Sequence, residues 1–213
     1  MAAHDTRMLL LGAVALFEPV NGYQIRRELL SWQVDEWAHV NPGSIYNGLT
    51  TLTKQGHLVR HDVRDQHRKV AVYELTPAGH AELDRLIELA LVEVELYGGT
   101  AFRVALGLLP LITRPQAIGH LAARLQNLEA RIAEVGDEVA AAGDIAPPHA
   151  MRMVELQVEL LRTERAWLVE LLDDARSGQL DFRGETAAWV PADDDPGWQM
   201  ALDRERYRAL LGR

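Results

Sequence analysis

Residues 39–60, HVNPGSIYNGLTTLTKQGHLVR, decide the fold. Ile45, Leu49 and Leu52 recur at helical spacing, and Asn41 followed by Pro42 is a helix-start signal. Gly56 stands where a helix-ending glycine belongs. The opposite side carries Ser44, Asn47, Gly48 and Thr51. A helix that merely faces water carries Glu and Lys there. This one offers short, uncharged, hydrogen-bonding groups, a surface able to lie against base-pair edges in a major groove.

Upstream, Thr6 to Phe17 is expected to form a first helix. Its apolar run, Met8 to Phe17, imitates a signal peptide, but ten residues are too few to span a bilayer and no A-x-A cleavage pattern follows. A buried helix is the expectation. A second helix starts near Asn21, with Tyr23, Ile25 and Leu29 or Leu30 inward, whereas Ser31 to Val40 commits to no period. Downstream, Leu58 to Val63 and Val70 to Leu75 are β-like runs around the polar Arg64 to Arg68, the pattern of a hairpin. Thr76-Pro77 opens a further helix reaching about Tyr97. Helices, hairpin and helix in this order make a winged helix-turn-helix, expected over residues 1–98.

The second half is helical by pattern. Ile118, Leu121, Leu125, Leu128, Ile132, Val135 and Val139 step alternately by three and four, a coiled-coil seam. After Pro147-Pro148 a second stripe follows: Val154, Val158, Leu161, Leu168, Leu172 and Ala175. Beside it lies another, Met153, Leu156, Leu160 and Trp167. A helix that is apolar on two sides must be covered from two sides, and a partner helix of its own chain covers one. A homodimer is therefore expected, with Leu121, Leu125, Leu128, Ile132, Val154, Val158, Leu161 and Leu168 as its dimerisation residues and 99–178 as its helical domain. Residues 179–213, with Trp189, Trp198, an acidic Asp193-Asp194-Asp195 and a short helix from Gly197 to Leu211, form a C-terminal extension.

The net charge of −9 argues against a general nucleic-acid binder, but the acidity is uneven. Residues 1–86 carry 9 Lys/Arg against 10 Asp/Glu, and residues 87–213 carry 13 against 21. Lys54, Arg60, Arg64, Arg68 and Lys69 outnumber Asp62 and Asp65, so a basic patch sits in an acidic molecule. Cysteine is absent, which excludes disulfides, thiolate metal sites and a cysteine nucleophile, and fits a cytoplasmic location. His57 and His61, with His67 nearby, lack a third ligand fixed by spacing and are taken as polar residues at a groove edge. No HExxH, GxSxG, GxGxxG or phosphate loop occurs, so neither an enzyme nor a cofactor is expected.

The motifs LLGAVAL, GYQIRREL, NPGSIYNGLTTLTKQGHL and YELTPAGHAEL, in this order and separation, resemble the PadR-type transcriptional regulators over roughly residues 7–176. The resemblance implies a mainly α fold, a winged helix-turn-helix with a small β-hairpin wing followed by a helical dimerisation domain. It implies a cytoplasmic homodimeric repressor of a short inverted repeat on double-stranded DNA, often released by a small aromatic or drug-like effector, and no membrane association. Carried onto this chain, the DNA-facing residues are Ser44, Tyr46, Asn47 and Thr51 with the wing residues Arg64, His67, Arg68 and Lys69, and Lys54 joins them by position. Gly22 and Tyr23 match a mainly structural family position. Members of the family commonly place proline where Asn47 stands and basic residues where Thr50 and Thr51 stand, so the wing is expected to carry more of the phosphate attraction here, while Asn47 is able to read an adenine.

The effector candidates are aromatic: Trp167 first, then Tyr97 and Phe102, then Trp32. Two other classes stay open on sequence alone. One is a winged-helix protein-interaction module that has lost DNA binding, which the few basic residues between 41 and 56 favour. The other is a small-molecule enzyme using a pocket in the helical domain, which no motif supports.

Overall fold

A computed structural model of the chain describes residues 2–38, 40–65, 68–142, 146–186, 190, 192–195 and 197–213. It divides into two compact units, Met1–Ile87 with Trp189–Arg213, and Glu88–Ala188.

The first unit begins with α1 (Ala2–Phe17), one turn earlier than the cap at Thr6 suggested. The two-residue strand β1 (Val20–Asn21) leads into α2 (Gly22–Ser31). Asn21 and Gln24 close a reciprocal capping box at its start: Gln24 N donates to Asn21 Oδ1 at 2.9 Å and Asn21 N to Gln24 Oε1 at 3.1 Å. The segment without a sequence period contains a single helical turn, α3 (Val34–Trp37). The third long helix, α4 (Ser44–Lys54), starts two residues after Pro42, because Asn41 folds a turn in which its carbonyl and side chain accept from Ser44 N and Gly43 N, both at 2.8 Å. Gly56 ends it in the left-handed region at φ +77°, with His57 N returning to Leu52 O.

The hairpin is β2 (Leu58–Asp65) against β3 (Arg68–Leu75), and β1 joins it in the order β1-β3-β2, all antiparallel. The register pairs Leu58 with Leu75, and Tyr73 with both Arg60 and Val20, which defines one face of the sheet. Its buried residues pack toward the helical core with Leu10, Leu11, Ile25, Ile45, Leu49 and Leu52. The other face carries Asn21, His61, Asp65, Val72 and Glu74. That face is covered by α9 (Gly197–Leu210), which buries Met200 and Tyr207. The C-terminal residues set apart above as an extension thus pack within the winged-helix unit. Thr76 caps α5 (Pro77–Val92) by accepting Gly79 N at 3.0 Å.

The second unit continues with α6 (Thr100–Gly107), a 3-10 turn at Leu109–Leu111, and the antiparallel pair α7 (Arg114–Ala142) and α8 (Pro148–Ser177). The buried seam between these two contains Leu121, Leu128, Val135, Val158, Leu161, Leu168 and Leu172. Where the sequence suggested a continuous helix to Tyr97, α5 stops at Val92. Its last carbonyls are taken by α7: Asn127 Nδ2 donates to Val92 O at 2.9 Å, and Arg124 Nη1 donates to Glu93 O.

Two glycines separate packing from propensity. A Cβ on Gly79 would lie 2.0 Å from His57 O, whereas a Cβ on Gly136, inside α7, meets nothing within 4 Å. Gly79→Ala should lower stability by about 1–3 kcal/mol through overpacking, and Gly136→Ala should raise it by roughly 0.5–1 kcal/mol. Urea denaturation at one protein concentration checks both signs.

Candidate nucleic-acid interface

Local sequence makes α4 a helix, and tertiary packing decides which of its sides is free. Ile45, Leu49 and Leu52 are buried as expected. Gly48, expected on the outer polar side, instead faces α1: a Cβ there would lie 2.3 Å from Leu10 Cδ1, and Leu10 is itself buried. The free face consists of Ser44, Tyr46, Asn47, Thr50, Thr51 and Lys54, all exposed. Ser44 Oγ donates to Asn41 O at 2.7 Å and Thr50 Oγ1 to Tyr46 O at 2.9 Å, so each hydroxyl keeps lone pairs for an outside donor. The side chains of Asn47, Thr51 and Lys54 bind no other group among the described residues. The Tyr46 ring lies over Gly22, whose missing Cβ would meet it at 3.1 Å. Gly22 has the structural role expected of it, while the Tyr23 side chain stands 64% exposed.

On the hairpin, Arg64 and Lys69 are directly opposite each other, on the face that carries Tyr73 and Leu75. Like charges placed opposite across two strands repel by a few tenths of a kcal/mol to about 1 kcal/mol. An anion between them relieves that cost. Arg60 is already engaged, at 2.7 Å from Asp62, and the hydrogen bond to that carboxylate raises its pKa. Arg64, Arg68 and Lys69 have no ion-pair partner among the described residues. His67, also expected to face DNA, lies outside the described residues. His61 leaves the groove edge, because its ring is on the sheet's other face with Nε2 2.8 Å from Glu74 Oε2. His57 points Nδ1 toward Ala78 O at 3.4 Å. No group of three His, Cys, Asp or Glu side chains suited to a metal occurs among the described residues.

The contribution of α9 escaped sequence reasoning. Arg204 donates to Leu16 O at 2.7 Å and Phe17 O at 3.3 Å, placing a cation on the carbonyl end of α1. Burial lowers its pKa. Tyr207 Oη accepts from Asn21 Nδ2 at 2.8 Å, and Asp203 Oδ2 accepts from Gln24 Nε2 at 2.7 Å, so both members of the capping box are held from outside. Arg206 reaches Asp65 at 3.0 Å and Arg213 reaches Glu74 at 2.8 Å. The available signals were the seven-residue spacing of Met200 and Tyr207 and the four arginines among residues 197–213.

In the helical unit, Phe102 and Trp167 meet edge to face with centroids 6.3 Å apart. The Arg124 guanidinium lies 3.7 Å from the Phe102 ring centroid and 2.6 Å from Glu164, beneath the end of α5. The other two effector candidates are elsewhere. Tyr97 is exposed in a turn, and Trp32 belongs to the winged-helix unit, 6.2 Å from Phe17. Of the residues expected to dimerise, Leu121, Leu128, Val158, Leu161 and Leu168 are buried within the α7–α8 pair of one chain, and Leu125, Ile132 and Val154 are half-buried. The apolar stripe left on the surface is Met153, Leu156, Leu160 and Trp167, exposed by 51, 56, 53 and 42%.

A helix-turn-helix followed by an antiparallel wing defines the first unit as a winged helix-turn-helix domain. Residues 10–85 match the model of the transcriptional regulator PadR-like family. The match ends soon after the wing, short of the 7–176 suggested by the motifs. No curated protein matches the chain by sequence. Among solved structures, the crystal structure of Bacillus subtilis PadR in complex with operator DNA is similar at 18% identity, over 79% of this chain and 98% of that one, with a TM-score of 0.35. The smu.1604c protein of Streptococcus mutans UA159 is similar at 17% identity over 78% and 98%, TM-score 0.35. The PadR-like transcriptional regulator BC1756 of Bacillus cereus is similar at 18% identity over 79% and 94%, TM-score 0.31. No helix of the described residues is long and apolar enough to cross a membrane.

Arg124 is 2% exposed and serves Glu164, the Phe102 ring and the carbonyls at the end of α5 at once. Arg124→Met should cost about 3 kcal/mol, because Glu164 and the terminal carbonyls of α5 lose their cation. Urea denaturation gives the number, and Trp167 fluorescence should report the loosened Phe102 ring.

Proposed function

We propose that the chain is a cytoplasmic transcriptional repressor of the PadR type that binds double-stranded DNA as a homodimer. The observation that carries this is the free face of α4, where the Asn47, Thr51 and Lys54 side chains have no partner among the described residues, together with Arg64, Arg68 and Lys69 of the wing, which have no ion pair there either. Short side chains allow α4 to approach base edges closely, and Asn47 suits a bidentate contact to adenine. The wing cations supply phosphate attraction that is independent of sequence.

The Met153, Leu156, Leu160 and Trp167 stripe supports a second copy of the chain as the occupant of the outer side of α8. Its steps of three, four and seven repeat a heptad seam, with Thr163 at the skipped position. Two copies joined there would set two α4 helices about 34 Å apart on a palindromic site. Trp167 lies both on this stripe and against Phe102, so a small aromatic ligand beside that pair would act on the same helix that joins the copies. A second reading, a protein-interaction module without DNA binding, is favoured by α4 having one cation, Lys54.

Titration of the DNA upstream of the chain's own gene at several salt concentrations separates the two readings. DNA binding should fall steeply with salt, and the interaction module should show no such binding. Arg68→Ala with Lys69→Ala should weaken all sequences alike and reduce the log–log salt slope by about 0.9 for each phosphate no longer neutralised. Asn47→Ala should relax discrimination at one base pair per half-site, by about 1–3 kcal/mol. Leu156→Glu with Leu160→Glu should give a monomer in analytical ultracentrifugation; a dimer of unchanged affinity would place the interface elsewhere.

A further inference from the structure

The polar links of α9 form an unbroken chain from the helix-turn-helix to the end of the wing. Gln24 of the α2 capping box donates to Asp203 at 2.7 Å, Asp203 holds Arg206 at 2.9 Å, and Arg206 holds Asp65 at 3.0 Å. Asp65 is the last residue of β2, and its partner in the register is Arg68, the first of β3. Side chains directly opposite in an antiparallel pair have Cβ atoms about 4.5–5.5 Å apart, so an Asp and an Arg placed this way are natural ion-pair partners. They do not pair. The Asp65 carboxylate, 17% exposed, is turned to Arg206, and Arg68 is exposed with no ion pair among the described residues.

We propose that Arg206 is a positioning residue for the DNA contact of the wing: it occupies Asp65 and so keeps the Arg68 guanidinium available to a phosphate. This inference rests on the DNA-binding reading above. An Arg68 neutralised across the hairpin would release no counterion on binding, since its charge would already be matched within the protein. Arg206 suits the task because it is held before DNA arrives. Asp203 fixes it from the same helix at a spacing of three residues, and the Tyr207 ring lies 5.5 Å beneath its guanidinium. Its link to Asp65 contributes little to stability, as expected of a partly exposed ion pair. Its effect is on which charge remains free.

The test is a set of DNA titrations on the full chain across a range of salt concentrations, with Arg206→Met, Arg68→Ala, and Arg206→Met combined with Asp65→Asn. Arg206→Met leaves Asp65 to Arg68 and should flatten the log–log salt slope by about 0.9 per protomer, to the level of Arg68→Ala. Adding Asp65→Asn removes the competing carboxylate and should restore the wild-type slope. A wild-type slope for Arg206→Met overturns the inference. So does a double variant as flat as Arg206→Met, because α9 would then act on the shape of the wing. If Arg206→Met does not fold, as judged by its thermal melt, Arg206→Gln, which also removes the cation, replaces it with the same expected slope; a wild-type slope for Arg206→Gln overturns the inference. A wild-type chain whose DNA binding does not depend on salt overturns the DNA-binding reading itself, an outcome distinct from all of these.

Discussion

The winged-helix unit depends on a contact that leaves no room for a side chain. Where α4 crosses α1, Gly48 lets the helix approach until Leu10 fills the space a Cβ would take. Ile45, Leu49 and Leu52 then bury on either side of that crossing, each contributing about 1.5–3 kcal/mol of apolar transfer. Because the depth and rotation of α4 are set there, Asn47, Thr51 and Lys54 are presented together without a side-chain partner of their own among the described residues. A helix held by one face and bare on the other is the physical basis of the reading as a DNA-binding protein.

Charge is arranged around this helix as carefully as apolar surface. The wing sets Arg64 against Lys69 and leaves Arg68 without an ion pair among the described residues, while the C-terminal segment pairs the carboxylates of the opposite sheet face, Asp65 with Arg206 of α9 and Glu74 with Arg213 beyond its end. Arg204 adds a cation at the carbonyl end of α1. The C-terminal helix therefore holds the fold and sets local charge together. Removing carboxylates from competition raises the effective basicity of the wing without adding a residue to it.

In the helical unit one buried cation organises the junction of four elements. Arg124 of α7 ends α5 by taking its carbonyls, pairs with Glu164 of α8 and lies on Phe102 of α6. Each partner offsets part of the desolvation of the guanidinium, and none of them suffices alone. The same cluster holds the Phe102–Trp167 pair beside the exposed stripe of α8.

Local chemistry made much of this legible. The cap at Thr76, the stop at Gly56, the alternation of the hairpin and the heptad steps of α7 and α8 concern neighbours within about one helical turn or one strand pairing, and a sequence records such neighbours directly. Gly48 was misplaced because helical period alone does not reveal that a second helix needs the space. The end of α5 was overrun because its stop signal, Arg124, lies 31 residues beyond Glu93. Which of the two parallel stripes of α8 faces α7 was not legible, since two stripes on one helix look alike until one is covered. The sequence by itself determined the long helices and the two strands of the hairpin, and that α4 has one apolar and one small polar side. Only the tertiary structure decided that the C-terminal helix covers the wing and that Arg206, not Arg68, holds Asp65. Such choices depend on which groups far apart in the chain compete for one partner, and no local pattern encodes that competition.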